Sequence, residues 1–120
     1  MSEIGLCRSA RGKKITVLSI DETSLHFTFE DGSKIALRDN TQTCCEKRYM
    51  RTDDNLEAFI GSNLYNVEVR DGGGGGRVED SDVHDIEFLL VSTSTGVFTI
   101  SNHNEHNGYY GGFNIICQAE

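Results

Sequence analysis

Leu25-His26-Phe27-Thr28-Phe29-Glu30-Asp31-Gly32-Ser33-Lys34-Ile35-Ala36-Leu37-Arg38 is the stretch that decides the fold class. Its first half alternates. Leu25, Phe27 and Phe29 fall on one face of an extended chain, and His26, Thr28 and Glu30 on the other. Asp31-Gly32 is a strong short-range hairpin signal, because glycine takes the positive φ that the tight turn demands. Ser33–Arg38 then returns with Ile35 and Leu37 inward. An antiparallel meander is expected here.

The same reading extends in both directions. Lys13–Ile20 is rich in β-branched and apolar residues and predicts a preceding strand. Leu64–Arg70, His84–Thr93, Val97–His103 and Phe113–Cys117 predict further strands, with a turn at Ser94-Thr95-Gly96. In His84–Thr93, Ile86, Phe88 and Leu90 fall on one face and Leu89 and Val91 on the other. Asp39–Thr52 has no usable period and reads as irregular. Asp53-Asp54-Asn55 offers a helix N-cap, with Asp54 and Glu57 spaced as a capping box and Gly61 just past the end. A helix of about two turns is expected there, packing Leu56, Phe59 and Ile60 on the sheet. With a single short helix there is no room for parallel crossovers. The expected fold is mainly β (small α+β), a bent antiparallel sheet or small open barrel of about six to seven strands with one short helix.

Length and composition fit one domain spanning residues 1–120: 37% of the residues are hydrophobic and 25% charged. Residues 71–82 carry five consecutive glycines flanked by charge and read as a flexible hairpin tip. That run lacks the Gly-Lys-Ser/Thr ending of a phosphate loop. The net charge of −8 disfavours general nucleic-acid binding and docking on anionic membranes. No apolar run is long enough to span a bilayer, and Met1–Ala10 has no signal-peptide pattern. The four cysteines, Cys7, Cys44, Cys45 and Cys117, lack the density of a disulfide-stapled domain. A reduced, cytoplasmic protein is expected, with Cys7 and Cys117 as small packing residues.

Two segments concentrate functional chemistry. Thr43–Arg51 holds a dense positive cluster, Lys47, Arg48 and Arg51, in an acidic chain. Arginine grips phosphate or carboxylate through paired hydrogen bonds, although the same residues could simply pair with Asp53 and Asp54. His103–Phe113 gathers two imidazoles, a carboxylate, amides, phenols and glycines in what reads as one loop. Three functional readings apply. A metal site would take Cys44, Cys45, His103 and His106, but their spacing matches no standard zinc pattern, and no metal or other cofactor is expected. Acid/base work would use His103 and His106 with Glu105, and Arg48 would steady charge on a phosphodiester. Recognition without chemistry would stack a ring on Tyr109, Tyr110 or Phe113 and read its edges with Asn102, Asn104 and Asn107. The bland alternative has the tyrosines packing on the sheet and the asparagines capping turns. His26, on the polar face of its strand, and His84, which opens one, look ordinary.

Cys44-Cys45-Glu46, Arg48-Tyr49-Met50, Asp53-Asp54, His84-Asp85-Ile86-Glu87-Phe88 and the run His103–Phe113 together resemble a family of small proteins of bacteriophages and their actinobacterial and other hosts, defined as a domain of unknown function. The resemblance covers roughly Lys13 to Cys117; the five-glycine tip departs from the family's more acidic connector. It implies a setting and no activity: a small phage protein in the cytoplasm of the infected host cell, of a kind that often counters host defence. The reading that follows is capture of a nucleotide-derived immune signal, a cyclic dinucleotide or an ADP-ribose derivative. The ligand would meet Arg48, Arg51, Tyr49, Asn104, Asn107, Tyr109, Tyr110 and Phe113, in a homodimer or higher homo-oligomer. One alternative is a metal-independent phosphodiesterase using His103, His106 and Glu105. The other is an acidic protein–protein inhibitor of a host defence enzyme.

Overall fold

The computed structural model describes residues 2–3, 5–39, 47–71, 76–78, 82–106 and 113–120. Within them the chain forms two antiparallel sheets. The smaller sheet is the meander read from the sequence. Its strands are β2 (Ile15–Ile20), β3 (Ser24–Phe29), β4 (Lys34–Asp39) and the C-terminal β10 (Ile115–Ala119), in the order β10-β4-β3-β2. The hairpin register pairs Phe27 with Ile35 and Leu25 with Leu37, so the apolar set of each strand shares one face. Gly32 sits at φ 88° in the turn, and Asp31 Oδ1 accepts the Ser33 N–H at 2.9 Å.

The larger sheet is built on β8 (Asp82–Thr93) and β9 (Gly96–His106), which pair along their whole length. On one side β6 (Leu64–Asp71) follows, then the two-residue β1 (Ser2–Glu3). On the other side β5 (Lys47–Arg51) forms the edge, and the short β7 (Gly76–Val78) adds to the end of β8. The inward residues of both sheets make one core. Phe27, Phe29, Leu25 and Leu37 from the meander meet Leu89, Val91, Phe98 and Ile100 from β8 and β9, all at most 1% exposed. One flank is stitched by Gly12 N–H to Leu64 O at 2.6 Å and Ile15 N–H to Ser62 O at 2.8 Å. On the other, the Met50 N–H of β5 donates to Glu22 O at 2.7 Å. The described strands do not close into a barrel.

Four expectations need correction. The helix of about two turns expected after the Asp53-Asp54-Asn55 cap is a four-residue 3-10 turn, Leu56–Phe59. Its N-cap is Asn55, whose side chain accepts from Glu57 N–H, while Asp54 Oδ2 instead accepts the Thr99 N–H of β9 at 2.8 Å. Spent on the sheet, Asp54 cannot close a capping box. The irregular stretch Asp39–Thr52 contains β5. His103–His106, read as loop, are the last residues of β9. Finally, residues 71–82 are not a simple tip: Asp71 ends β6, Gly76–Val78 is β7 and Asp82 opens β8. Residues 72–75 and 79–81 lie outside the described residues.

Candidate functional site

The two segments singled out in the sequence are neighbouring strands. β5 pairs with β9 antiparallel, matching Lys47 with Glu105, Arg48 with Asn104, Tyr49 with His103, Met50 with Asn102 and Arg51 with Ser101. Because side chains alternate across a sheet, this register sorts the candidates into two groups.

Arg48, Met50, Asn102 and Asn104 face the second sheet. Arg48 Nη1 donates to Asp39 Oδ2 at 2.5 Å, and both side chains are only 5% exposed. The same carboxylate accepts from Asn102 Nδ2 at 3.2 Å and, through Oδ1, from Asn114 N–H at 3.1 Å. The Arg48 guanidinium lies 5.9 Å from the Phe113 ring centroid. Arg48, Asn104 and Phe113 were expected around a ligand. The structure gives Arg48 a carboxylate partner on the smaller sheet, buries Asn104 and sets Phe113 against Arg48.

The outer face is different. Tyr49 stacks on His103, with ring centroids 4.6 Å apart and planes 5° from parallel. The Tyr49 hydroxyl donates to Glu105 Oε2. Arg51 Cζ lies 5.0 Å and Lys47 Nζ 5.6 Å from the Tyr49 ring centroid, at cation–π range. Among the described residues, neither cation has a carboxylate partner. His103 also reaches across to β8. Its Nδ1 is 2.9 Å from His84 Nε2, and its Nε2 is 2.9 Å from Ser101 Oγ. Beside Tyr49 runs a groove of about 450 Å³, whose far wall is the β2–β3 turn with Asp21 and Glu22. A smaller hollow of about 230 Å³ joins Arg51, Phe88, Thr99 and Ser101.

The environment tunes these groups. Burial, then the charges of His84 and Arg51, holds the His103 imidazole below its usual range, with Glu105 opposing. A neutral His103 can act as acceptor or base. Burial and the bond to Glu105 push the Tyr49 phenol up to about 12, so it remains a donor. That same hydroxyl holds Glu105 below its ordinary value. Glu105 is thus engaged with Tyr49 as well as close in charge to the histidines.

His84 and Ser101 are the residues that sequence reasoning missed. The turn at Ser94-Thr95-Gly96 contained the signal. Thr93 opposite Gly96 fixes a register that puts His84 opposite Glu105, two pairs from His103 and so on the same face. Asn107, Tyr109, Tyr110, Cys44 and Cys45 lie outside the described residues, as does the side chain of His106. Among the described residues, no group of three or more His, Cys, Asp or Glu is placed to hold a metal ion. No helix is long and apolar enough to cross a membrane.

No curated protein matches the chain. No solved structure matches it either. The profile of one family, described as a domain of unknown function (DUF7448), matches residues 9–115. The match runs from before β2 to the first residue of β10, taking in every strand from β2 to β9, and the chain therefore belongs to the DUF7448 family.

Proposed function

We propose that the outer face at the β5–β9 edge binds and sequesters a small nucleotide-derived ligand, such as a cyclic dinucleotide or an ADP-ribose derivative. The observation that carries this reading is the pair of cations, Lys47 and Arg51, set about the Tyr49 ring on a groove of about 450 Å³. In a chain of net charge −8, two adjacent cations without carboxylate partners among the described residues form a local anion site. Arg51 supplies the planar fork that fits a phosphate and Lys47 a mobile point charge. The Tyr49–His103 stack offers a base the start of an aromatic column, where stacking contributes about 1–3 kcal/mol per base. The acidic far wall, Asp21 and Glu22, suits the hydroxyls of a ribose or the amino group of a base. Arg48, Asn104 and Phe113 support the strand that carries the site, and Asn107, Tyr109 and Tyr110 remain expectations from the sequence. The setting proposed on the sequence resemblance is that of a phage-encoded anti-defence protein acting in the cytoplasm of an infected cell, and the proposed assembly is a homodimer or larger.

Titration calorimetry against a panel of cyclic dinucleotides and ADP-ribose derivatives tests the reading. Arg51→Ala and Lys47→Ala should each weaken binding by about 1.5–3 kcal/mol, the range for a charge-assisted hydrogen bond, and added salt should weaken it further. Unchanged affinity in Arg51→Ala, or no binding across the panel, would overturn it. A second reading, cleavage of the same class of ligand by a metal-independent phosphodiesterase, is favoured by one observation. His103 is kept neutral and is hydrogen-bonded through both ring nitrogens. Recovering the ligand after denaturing the complex separates the two: intact nucleotide means capture and a new product means turnover.

A further inference from the structure

We propose that Ser101 is a nucleophile, activated by His103 and positioned through His84, that cleaves a phosphoester bond; the inference rests on the cleavage reading. Ser101 Oγ lies 2.9 Å from His103 Nε2, and His103 Nδ1 lies 2.9 Å from His84 Nε2. Nucleophile, base and orienting group thus stand in one hydrogen-bonded line, the arrangement that activates a hydroxyl whatever the fold around it. Here a histidine takes the place of the usual orienting carboxylate. With the His84 proton on Nδ1, its Nε2 accepts from His103 Nδ1–H, leaving His103 Nε2 free to take the Ser101 proton. The Arg51 carbonyl, 3.2 Å from Oγ, is the resting acceptor for that proton, so activation is a switch of one hydroxyl hydrogen bond.

The surroundings fit the step. His103 and Ser101 share the outer face of β9, and both are only half-buried. Ser101 and Arg51 line the hollow of about 230 Å³ together with Asp53 and Asp54, so one arginine and two carboxylates border the space a phosphoryl group would enter. The groups facing His103 are His84 from β8, Tyr49 and Arg51 from β5 and Glu105 from its own strand. In the reaction, Oγ attacks phosphorus and the Oγ–P bond forms as the bond to the leaving oxygen breaks. The hydroxyl proton passes to His103 Nε2 and from there to the leaving oxygen. Water then attacks phosphorus and gives its proton to Nε2, the Oγ–P bond breaks to release a phosphate monoester, and Nε2 returns the proton to Oγ.

An alkyl fluorophosphonate tests this directly, since Oγ–P bond formation expels fluoride and leaves a stable adduct. The wild-type protein should gain one phosphonyl group, mapped to Ser101 by peptide mass spectrometry, and lose that reactivity in urea. Ser101→Ala should abolish the adduct, and His103→Gln should slow it by about 100-fold or more. His84→Leu should keep the adduct but slow its formation, because His103 Nδ1 loses the partner that fixes its tautomer and orientation. An unmodified native wild type, or an adduct that survives Ser101→Ala, would overturn the proposal. The nucleotide panel separates the two ideas. An adduct without nucleotide binding sinks the ligand assignment alone, and nucleotide binding without an adduct sinks the nucleophile alone.

Discussion

Removing the Arg48 guanidinium would take from the Asp39 carboxylate, 5% exposed, a buried cation that donates to it. Breaking a buried pair from one side costs about 3–5 kcal/mol, far more than the pair itself contributes. Arg48→Ala should therefore lower the urea midpoint of unfolding sharply. Arg51→Ala, which removes an exposed cation with no carboxylate partner among the described residues, should leave that midpoint within about 0.5 kcal/mol of wild type. The contrast assigns the two arginines to different tasks. In the sequence they look equivalent, three residues apart in one basic cluster. What separates them is the pleat, which sends position 48 inward and position 51 outward.

The Asp31-Gly32 turn gives the cleanest test at the level of the element. A Cβ built on Gly32 meets nothing within 4 Å, so Gly32→Ala adds only the cost of a left-handed backbone at φ 88°. That cost is about 1–2 kcal/mol, measurable as a lower denaturant midpoint with no change in spectroscopic signature. The hairpin around it was legible because one face of each strand is apolar and the other polar, and the turn chemistry agreed. β5 was not legible for the converse reason. In Lys47-Arg48-Tyr49-Met50-Arg51 an inward position is filled by an arginine whose partner, Asp39, lies on another strand, so the alternation is hidden. The helix reading failed on similar grounds. Asp54 looked like a cap, but a distant strand claimed its carboxylate. The end of β9 was masked by its own chemistry, since His103-Asn104-Glu105-His106 has loop composition and strand geometry. Of the site, the sequence showed the two segments but not their pairing, and it gave no hint of which faces they share.

For the molecule as a whole, pH acts through a tie on the outside of the smaller sheet. His26 Nε2 is 2.9 Å from Asp21 Oδ2 and its Nδ1 3.2 Å from Glu120 Oε1, joining the β2–β3 turn to the C-terminal residue. The bond to Asp21, with Glu120 adding to it, raises the imidazole above its ordinary 6.5, and the bond to His26 lowers Asp21 below 3.8. A raised folded pKa gives stability that is complete below 6.5 and lost as pH climbs through the folded value. A lowered one gives stability complete above 3.8 and lost as pH falls through the folded value. The tie is thus strongest between about pH 4 and 6.5. With the groups a third or more exposed, solvent screening limits it to at most about 1 kcal/mol. Wild type should exceed His26→Gln in urea midpoint at pH 5.5, and the gap should close toward pH 9. A gap that is the same at both would show that the imidazole charge plays no part. A last consequence follows from β9, whose odd positions carry the outward groups and whose even positions lock the sheets together. A single-residue insertion or deletion within it would exchange the two roles at every later position. The number of residues between Gly96 and Glu105 should therefore be invariant among related proteins, however freely the glycine-rich connector drifts.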